Sequence, residues 1–182
     1  LFPGSRLQEI ENIFPVMLRA AKTVAAALNM TVAIGVAPNL EEKYFRTFYN
    51  TEGVHFIKGA TYELMQNAAF AFVTSGTATL ETACFATPMF VVYRTSWLTY
   101  LVGRMVVRVR NIGLVNIVAG KQIVPEFIQH RATAKNLGRE ALRLLRDPAR
   151  MDEMKAELSK IKGMLGAFGA SQTVANHIVQ MA

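Results

Sequence analysis

The sequence is short of the residues with which proteins build disulfides and acidic metal sites. Its 182 residues include one cysteine, Cys84, which cannot form a disulfide within the chain and stands among apolar neighbours. This favours a packed thiol in a reducing compartment over a catalytic one. Aspartate occurs only at Asp147 and Asp152, in a helical pattern late in the chain. An Asp-x-Asp metal motif is therefore excluded from this sequence, and we expect no metal and no cofactor.

Histidine, tryptophan, tyrosine and long apolar runs are also scarce. His55, His130 and His177 are widely spaced and unpaired with cysteines or carboxylates, so neither a metal site nor a Ser-His-Asp array is indicated. The single tryptophan and five tyrosines lie among apolar residues, unlike the stacking pattern of single-strand nucleic-acid binders. We therefore expect no nucleic-acid partner. No run reaches the roughly 18 apolar residues of a bilayer span, and no secretory leader is visible, which predicts a soluble or membrane-peripheral domain.

Apolar and basic residues are what the chain has in abundance. Hydrophobic residues make up 52% of the sequence, enough for one substantial core, so we predict a single domain over residues 1–182. The formal net charge of +7 favours an anionic partner, such as phosphate esters or an acidic membrane face. The first residues read as the end of a strand, which predicts that the sequence is a piece of a longer protein.

Short β-branched runs alternate with helical periodicity up to about residue 130, as in repeated βα units around a parallel sheet. Strands are predicted at residues 31–36, 54–57, 70–74 and 88–92, after a first one that ends at Phe2. Helices are predicted over residues 10–24, 61–67, 77–86 and 96–108, and beyond residue 130 over residues 134–145, 148–162 and 171–180. The predicted class is α/β: a Rossmann-like parallel sheet with helices on both faces in residues 1–130, and a helical segment in residues 131–182.

The first helix carries two signals about its start and its course. Ser5, with Gln8 three residues later, makes a capping box. Pro15 removes a backbone donor within the helix and predicts a kink or a restart.

Residues 71–81 combine a buried strand, a turn of small residues and the start of a helix. The small side chains of residues 75–78 leave the first helical N–H groups open, and a helix N-terminus is a ready anion site. A diphosphate fits there, although the same residues also make an ordinary tight turn with an N-cap. Glu81, one turn further on, is placed to accept two hydroxyls of a ribose, or it is a solvated surface residue.

A second phosphate-directed element lies at residues 3–6, with the sequence Pro-Gly-Ser-Arg. It follows the first predicted strand, so it falls at the same sheet edge as residues 75–78, where doubly wound sheets bind ligands. Arg6 can donate two hydrogen bonds to a diphosphate. Asn116 is a polar residue in an apolar run and either binds a ligand hydroxyl or caps a turn.

The segment of residues 97–110 contains both large apolar side chains and basic side chains. Between residues 94 and 121 there are five basic and no acidic side chains. This composition suits the interface of an anionic membrane, with an ordinary core helix as the alternative. The residues expected at that surface are Trp97, Leu101, Arg104 and Arg108.

Several of these motifs, in this order and spacing, resemble the lipid-A-disaccharide synthase family across essentially the whole chain. They are residues 1–6 with Glu9, residues 75–81 (Ser-Gly-Thr-Ala-Thr-Leu-Glu), Tyr93-Arg94 with Thr99, Asn116, and residues 125–129 (Pro-Glu-Phe-Ile-Gln). The Ser-Gly-Thr element is shared more widely with GT-B glycosyltransferases, while the later elements are more specific. Val115 departs from the pattern, since many members carry proline before the asparagine.

The resemblance implies one half of a GT-B fold, in which this domain holds the UDP of UDP-2,3-diacylglucosamine. The missing N-terminal domain would supply the acceptor side and the general base. The 6-hydroxyl of 2,3-diacylglucosamine 1-phosphate (lipid X) would attack the anomeric carbon with inversion, forming the β-1,6 disaccharide and releasing UDP. Arg6 would stabilise the leaving group. The substrate-binding residues implied by the family are, in this sequence, Gly4, Ser5, Arg6, Gly59, Ser75, Gly76, Thr77, Ala78, Glu81, Asn116, Glu126 and Gln129.

Other readings stay open at this stage. Another GT-B UDP-sugar transferase or a UDP-sugar epimerase would keep the UDP crevice without the apolar basic helix. A non-catalytic nucleotide-binding or membrane-docking module would bind without turnover. The family implies a cytoplasmic protein, peripheral at the inner face of the inner membrane, whose partners are its own N-terminal domain, the two lipid substrates and the membrane. A homodimer is left open.

Overall fold

The computed structural model describes residues 1–48, 50–95 and 111–166, together with residues 175, 178 and 179. The strands in these ranges are β1 (Val32–Val36), β2 (Val54–Lys58), β3 (Ala71–Thr74), β4 (Met89–Tyr93) and β5 (Glu126–Ile128). The helices are α1 (Leu7–Leu28), α2 (Glu42–Phe48), α3 (Thr61–Asn67), α4 (Thr77–Cys84), α5 (Leu114–Val118), α6 (Ala134–Leu145) and α7 (Pro148–Met164). A 3-10 turn at Gln129–Arg131 follows β5.

All the strands run parallel, and residues 1–2 join them into one sheet. β1 pairs with β2, and β3 pairs with β4, which pairs with β5. Between these groups, Gly35 N donates to the Leu1 carbonyl and Phe2 N donates to the Phe72 carbonyl, each at 2.9 Å. The order across the sheet is therefore β2, β1, residues 1–2, β3, β4, β5. The predicted α/β class with a Rossmann-like parallel sheet is confirmed.

Helix periodicity explains how the sheet is covered. On α1, the apolar residues Ile10, Phe14 and Leu18 recur every four positions and are all at most 2% exposed. They pack with Ile34 of β1 and Phe45 of α2 in one cluster of the core. In the described part of the chain, none of the helices combines the length and the apolar character that crossing a bilayer requires.

The structure contradicts the predicted capping box at Ser5 and the predicted restart at Pro15. Arg6, not Ser5, is the N-cap residue, and no side chain caps the helix. The Arg6 carbonyl accepts from Ile10 N at 3.1 Å, so α1 begins one residue later than a capping box at Ser5 requires. Pro15 does not restart the helix, because α1 runs through it from Leu7 to Leu28. Its buried ring and buried neighbours bring packing energy that outweighs one lost backbone bond.

The remaining predicted helices differ from the observed ones only in where they end, or fall on residues that the structure does not describe. α4 ends at Cys84, two residues earlier than predicted, and α7 continues to Met164, two residues beyond. α2, α5 and β5 are additional elements. The predicted helix at residues 96–108 lies in the gap in the described residues, and the one at residues 171–180 lies almost wholly outside them.

Candidate functional site

The sheet has its topological switch point between residues 1–2 and β3. From residues 1–2 the chain passes through α1 to β1 on one side, and from β3 it passes through α4 to β4 on the other side. Parallel crossovers are right-handed, so the two helices lie on opposite faces. In agreement, α1 packs on α2 and α6, whereas α4 packs on α3, α5 and α7. Open α/β sheets bind ligands at such a point, outside the carboxyl ends of the strands.

Residues 4–6 form the first wall of this crevice. Gly4 has φ +102°, and a Cβ built on it would lie 2.6 Å from Glu9 Oε2, so the position requires glycine. The Arg6 side chain is 82% exposed, and its Nη1 donates to Glu9 Oε1 at 3.0 Å. Arg6 is therefore accessible to an anion while Glu9 keeps it beside the first turn of α1, which has no side-chain cap.

Residues 75–78 form the second wall, at the start of α4. Thr74 N donates to the Phe2 carbonyl at 2.9 Å, so both walls leave adjacent strands at the same sheet edge. Gly76 is the N-cap residue, has no side chain with which to cap the helix, and faces open space. The Ser75 hydroxyl is not free, because it donates to the Ile112 carbonyl at 2.8 Å. Backbone N–H groups thus dominate what this wall offers to a ligand.

Glu81 and Gly59 flank the two walls. Glu81 is half-buried on the second turn of α4, and its carboxylate has no hydrogen-bond partner among the described residues. Gly59 follows β2 with φ +81°, and nothing lies within 4 Å of a Cβ built on it. Two strand spacings separate β2 from residues 1–2, so Gly59 lies about 10 Å across the same edge. A flat ring can approach its backbone there.

Asn116 and Glu126 form a buried network behind the second wall. Asn116 is fully buried, and its Nδ2 donates to the Val124 carbonyl and to Glu126 Oε1, both at 2.8 Å. Its Oδ1 accepts from the backbone N–H groups of residues 123 and 124. All four hydrogen-bonding positions of this amide are therefore used within the chain.

Glu126 connects this network to the crevice. Its carboxylate accepts from Ile112 N at 2.9 Å and Gly113 N at 3.0 Å, in addition to Asn116. The backbone at Ile112 therefore lies between two side chains. The Glu126 carboxylate accepts from the N–H groups of Ile112 and Gly113, while the Ser75 hydroxyl donates to the Ile112 carbonyl. A buried carboxylate on β5 thus fixes the loop on which the Ser75 side chain rests.

Gln129 fixes the chain on the other side of the gap in the described residues. Its Nε2 donates to the Thr95 carbonyl at 3.0 Å, and its Oε1 accepts from Thr95 N at 2.9 Å. Glu126 and Gln129 therefore hold the two described ends that border residues 96–110. The residues predicted at a membrane surface, Trp97, Leu101, Arg104 and Arg108, lie within that undescribed range.

The site has no grouping of metal ligands where the chain is described. There, no three histidine, cysteine, aspartate or glutamate side chains stand together in a way that holds a metal ion. Cys84, at the far end of α4, is half-buried with a free thiol.

Sequence reasoning missed the internal partners of the polar residues. It singled out Ser75, Asn116 and Glu126 one by one, but their connection runs through the backbone of residues 112 and 113. The sequence did contain one signal of close packing near residues 112 and 113, because a glycine, Gly113, stands directly before a short apolar run. A Cβ at this position would lie 3.0 Å from Val91 Cγ2 and 3.1 Å from Glu126 Oε1, so a side chain here would press on β4 and on the carboxylate.

A parallel sheet with helices on both faces and uncapped helix N-termini on both sides of its switch point is the Rossmann-like fold of one half of a GT-B protein. The family model for lipid-A-disaccharide synthetase matches residues 1–176. The chain belongs to the lipid-A-disaccharide synthetase family.

Individual relatives agree with this assignment. A lipid-A-disaccharide synthase of Syntrophus aciditrophicus is 41% identical over 179 residues, covering 96% of this chain and 47% of the relative. That of Geobacter metallireducens is 36% identical over 184 residues, covering 100% of this chain and 48% of the relative. That of Anaeromyxobacter dehalogenans (strain 2CP-C) is 37% identical over 183 residues, covering 98% and 48%. The chain spans about half the length of these relatives.

Proposed function

We propose that this chain is the UDP-sugar-binding half of a lipid A glycosyltransferase. The observation that carries the proposal is the meeting of Arg6 and two uncapped helix N-termini at the switch point of the sheet, in a chain of this family. The other half would be a separate domain that supplies the acceptor side. The reaction would join UDP-2,3-diacylglucosamine to 2,3-diacylglucosamine 1-phosphate.

The diphosphate is proposed to lie between the two walls. The first N–H groups of α1 and α4 carry the positive ends of the helix dipoles. Gly76 adds no side chain and faces open space, so a phosphate group can approach the backbone there. Arg6 would turn from Glu9 to the diphosphate, since its side chain is exposed and the surface ion pair it leaves is weak.

The nucleoside is proposed to extend from this point across the sheet edge. Glu81 would accept the two ribose hydroxyls, because its carboxylate is half-buried and has no described partner. The uracil would lie against the backbone at Gly59, where a side chain would be strained by the positive φ and no neighbour blocks the approach.

Asn116, Glu126 and Gln129 are proposed to shape the site instead of contacting the substrate directly. Direct contact by the Asn116 amide would break bonds that now occupy all four of its positions. Glu126 supports Ser75 through the Ile112 peptide, and Gln129 fixes Thr95. These side chains would set the position of the second wall and of the chain that borders residues 96–110.

In the proposed reaction, the 6-hydroxyl oxygen of the acceptor forms a bond to the anomeric carbon as the bond from that carbon to the diphosphate oxygen breaks. The hydroxyl proton passes to a base outside these residues, and the electron pair leaves with UDP. Negative charge therefore grows on the diphosphate. The N–H groups of both walls would stabilise this charge without rearrangement, and Arg6 would add to that stabilisation after turning from Glu9.

We further propose that the protein acts in the cytoplasm, at the inner face of the inner membrane. This rests on the lipid character of the proposed substrates and on the five cations without anions in residues 94–121. A homodimer is compatible with this arrangement and is not required by it.

Calorimetry and a transferase assay test the proposal together. We expect the 182-residue chain to bind UDP more tightly than ADP and to show no turnover, because the other wall of a bipartite crevice is supplied elsewhere. The longer protein should release UDP from the acylated donor and not from its deacylated counterpart. Turnover by the 182 residues alone would contradict the bipartite site. Equal use of the acylated and deacylated donors would favour another UDP-sugar enzyme. A longer protein that binds UDP without any turnover would favour a binding module.

A further inference from the structure

Thr74 is the last residue of β3 and stands directly before the second wall. Its side chain is 5% exposed, and its hydroxyl oxygen is buried without a hydrogen-bond partner among the described residues. The four other buried threonines have one: Thr79 donates to the Gly76 carbonyl, Thr82 to that of Ala78 and Thr87 to that of Met65, while Thr51 accepts from Arg46. Thr74 is thus the exception within the described core.

The position of this hydroxyl connects it with the crevice. The Thr74 backbone N–H pairs with Phe2, the residue that leads into the first wall, and the next residue opens the second wall. Its side chain lies under Gly4, because a Cβ built on that glycine would lie 3.1 Å from Thr74 Cγ2. Gly4 therefore covers the Thr74 methyl group at the floor of the switch point, and rotation about χ1 would exchange that methyl group with the buried hydroxyl.

A hydroxyl in this position is unfavourable for the fold alone. Burial removes its water, and no group of the described chain replaces that water. Valine has the same branched shape and β-strand preference without the polar atom, so the fold by itself would favour valine. The hydroxyl becomes useful only if something in the crevice accepts its hydrogen bond.

We propose that Thr74 is a binding residue of the crevice, whose hydroxyl donates a hydrogen bond to a diphosphate oxygen of the bound nucleotide. This inference rests on the proposed function and adds a residue to its site. The phosphate oxygens are the acceptors that the two walls would bring closest to Gly4 and hence to Thr74. The side chain would act together with the backbone N–H groups and would not need to move far.

Two substitutions at this residue and one elsewhere form the test, with UDP affinity from calorimetry and melting temperature measured for each. Thr74→Val should weaken UDP binding about tenfold and leave the melting temperature unchanged or raised. Thr74→Ser keeps the hydroxyl and should bind UDP as the parent does. Thr87→Val, at a buried hydroxyl that donates to the Met65 carbonyl at 2.6 Å, should show the opposite pattern of a lower melting temperature and parental affinity.

The outcomes separate this inference from the proposed function. If the parent binds UDP and Thr74→Val binds it equally well, the role of Thr74 is wrong and the UDP site stands. A Thr74→Val variant that melts well below the parent and binds UDP normally would show that the hydroxyl serves the fold. Weak binding by Thr74→Ser would assign the effect to shape and also overturn the inference. A parent protein that does not bind UDP would overturn both.

Discussion

At the residue scale, the side chains around the crevice divide into those with partners within the chain and those without. Asn116, Glu126 and Gln129 belong to the first group and make hydrogen bonds to backbone that fix loops. Glu81 and Thr74 belong to the second. Unused hydrogen-bonding capacity at a ligand edge is the clearer sign of binding, because folding alone would have satisfied or removed it.

Substitution of Glu81 tests the proposed ribose contact. Glu81→Gln keeps the size of the side chain but removes the charge and one acceptor, so UDP binding should weaken by about 1.5–3 kcal/mol, tenfold or more. Calorimetry measures this, with Glu11→Gln, an exposed glutamate on α1, as the matched control. Unchanged affinity in a folded Glu81→Gln variant would make Glu81 an ordinary surface residue.

At the element scale, the strong patterns were readable from the sequence. The predicted strands 31–36, 54–57, 70–74 and 88–92 agree with β1 to β4 to within one residue at each end. β1, β3 and β4 are largely apolar runs between polar turns, whereas β2 contains His55 and has no buried residue. α3 and α6 also match the predicted bounds. Strands that are buried on both faces of a parallel sheet consist almost wholly of apolar residues, so they are easy to recognise in a sequence.

The weaker elements could not be read because their stability comes from distant residues. β5 has three residues and contains a glutamate, which is disfavoured in strands. The hydrogen bonds that bury this carboxylate come from residues 10 to 14 positions earlier. The same is true of the candidate site. Topology alone predicted which residues lie at the sheet edge, but the hydrogen-bond partners of Asn116 and Glu126 could be identified only from the three-dimensional fold.

The docking of α5 onto β4 and β5 should depend on the Glu126 carboxylate. Glu126→Gln places an amide group against N–H donors, so at least one buried donor loses its acceptor, and the free energy of unfolding should fall by about 2 kcal/mol. Urea denaturation measures the loss. Glu153→Gln on the exposed side of α7 should change stability by no more than about 0.5 kcal/mol. An equally small effect at position 126 would show that the Glu126 carboxylate does not hold α5 in place.

Residues 97–110 are predicted to form a helix that rests on an anionic membrane surface or holds acylated substrate near it. Each basic residue near such a surface contributes about 1 kcal/mol, screened by salt. Arg104→Glu with Arg108→Glu should therefore reduce sedimentation with anionic vesicles at low salt and leave UDP affinity unchanged. Lys155→Glu with Lys162→Glu makes the same charge change on α7 and should have a smaller effect. If both double variants sediment alike, the cations act only through net charge and this segment has no special role.

At the scale of the whole molecule, the backbone of Leu1 and Phe2 joins β1 and β2 to β3, β4 and β5 in the described sheet. The two walls follow adjacent strands at this join, and Gly59 follows β2 on its far side. A UDP bound to both walls and to Gly59 would therefore connect the two groups of strands. Amide hydrogen exchange measured with and without UDP should be slower in both groups when UDP is bound, including at residues that the nucleotide does not contact.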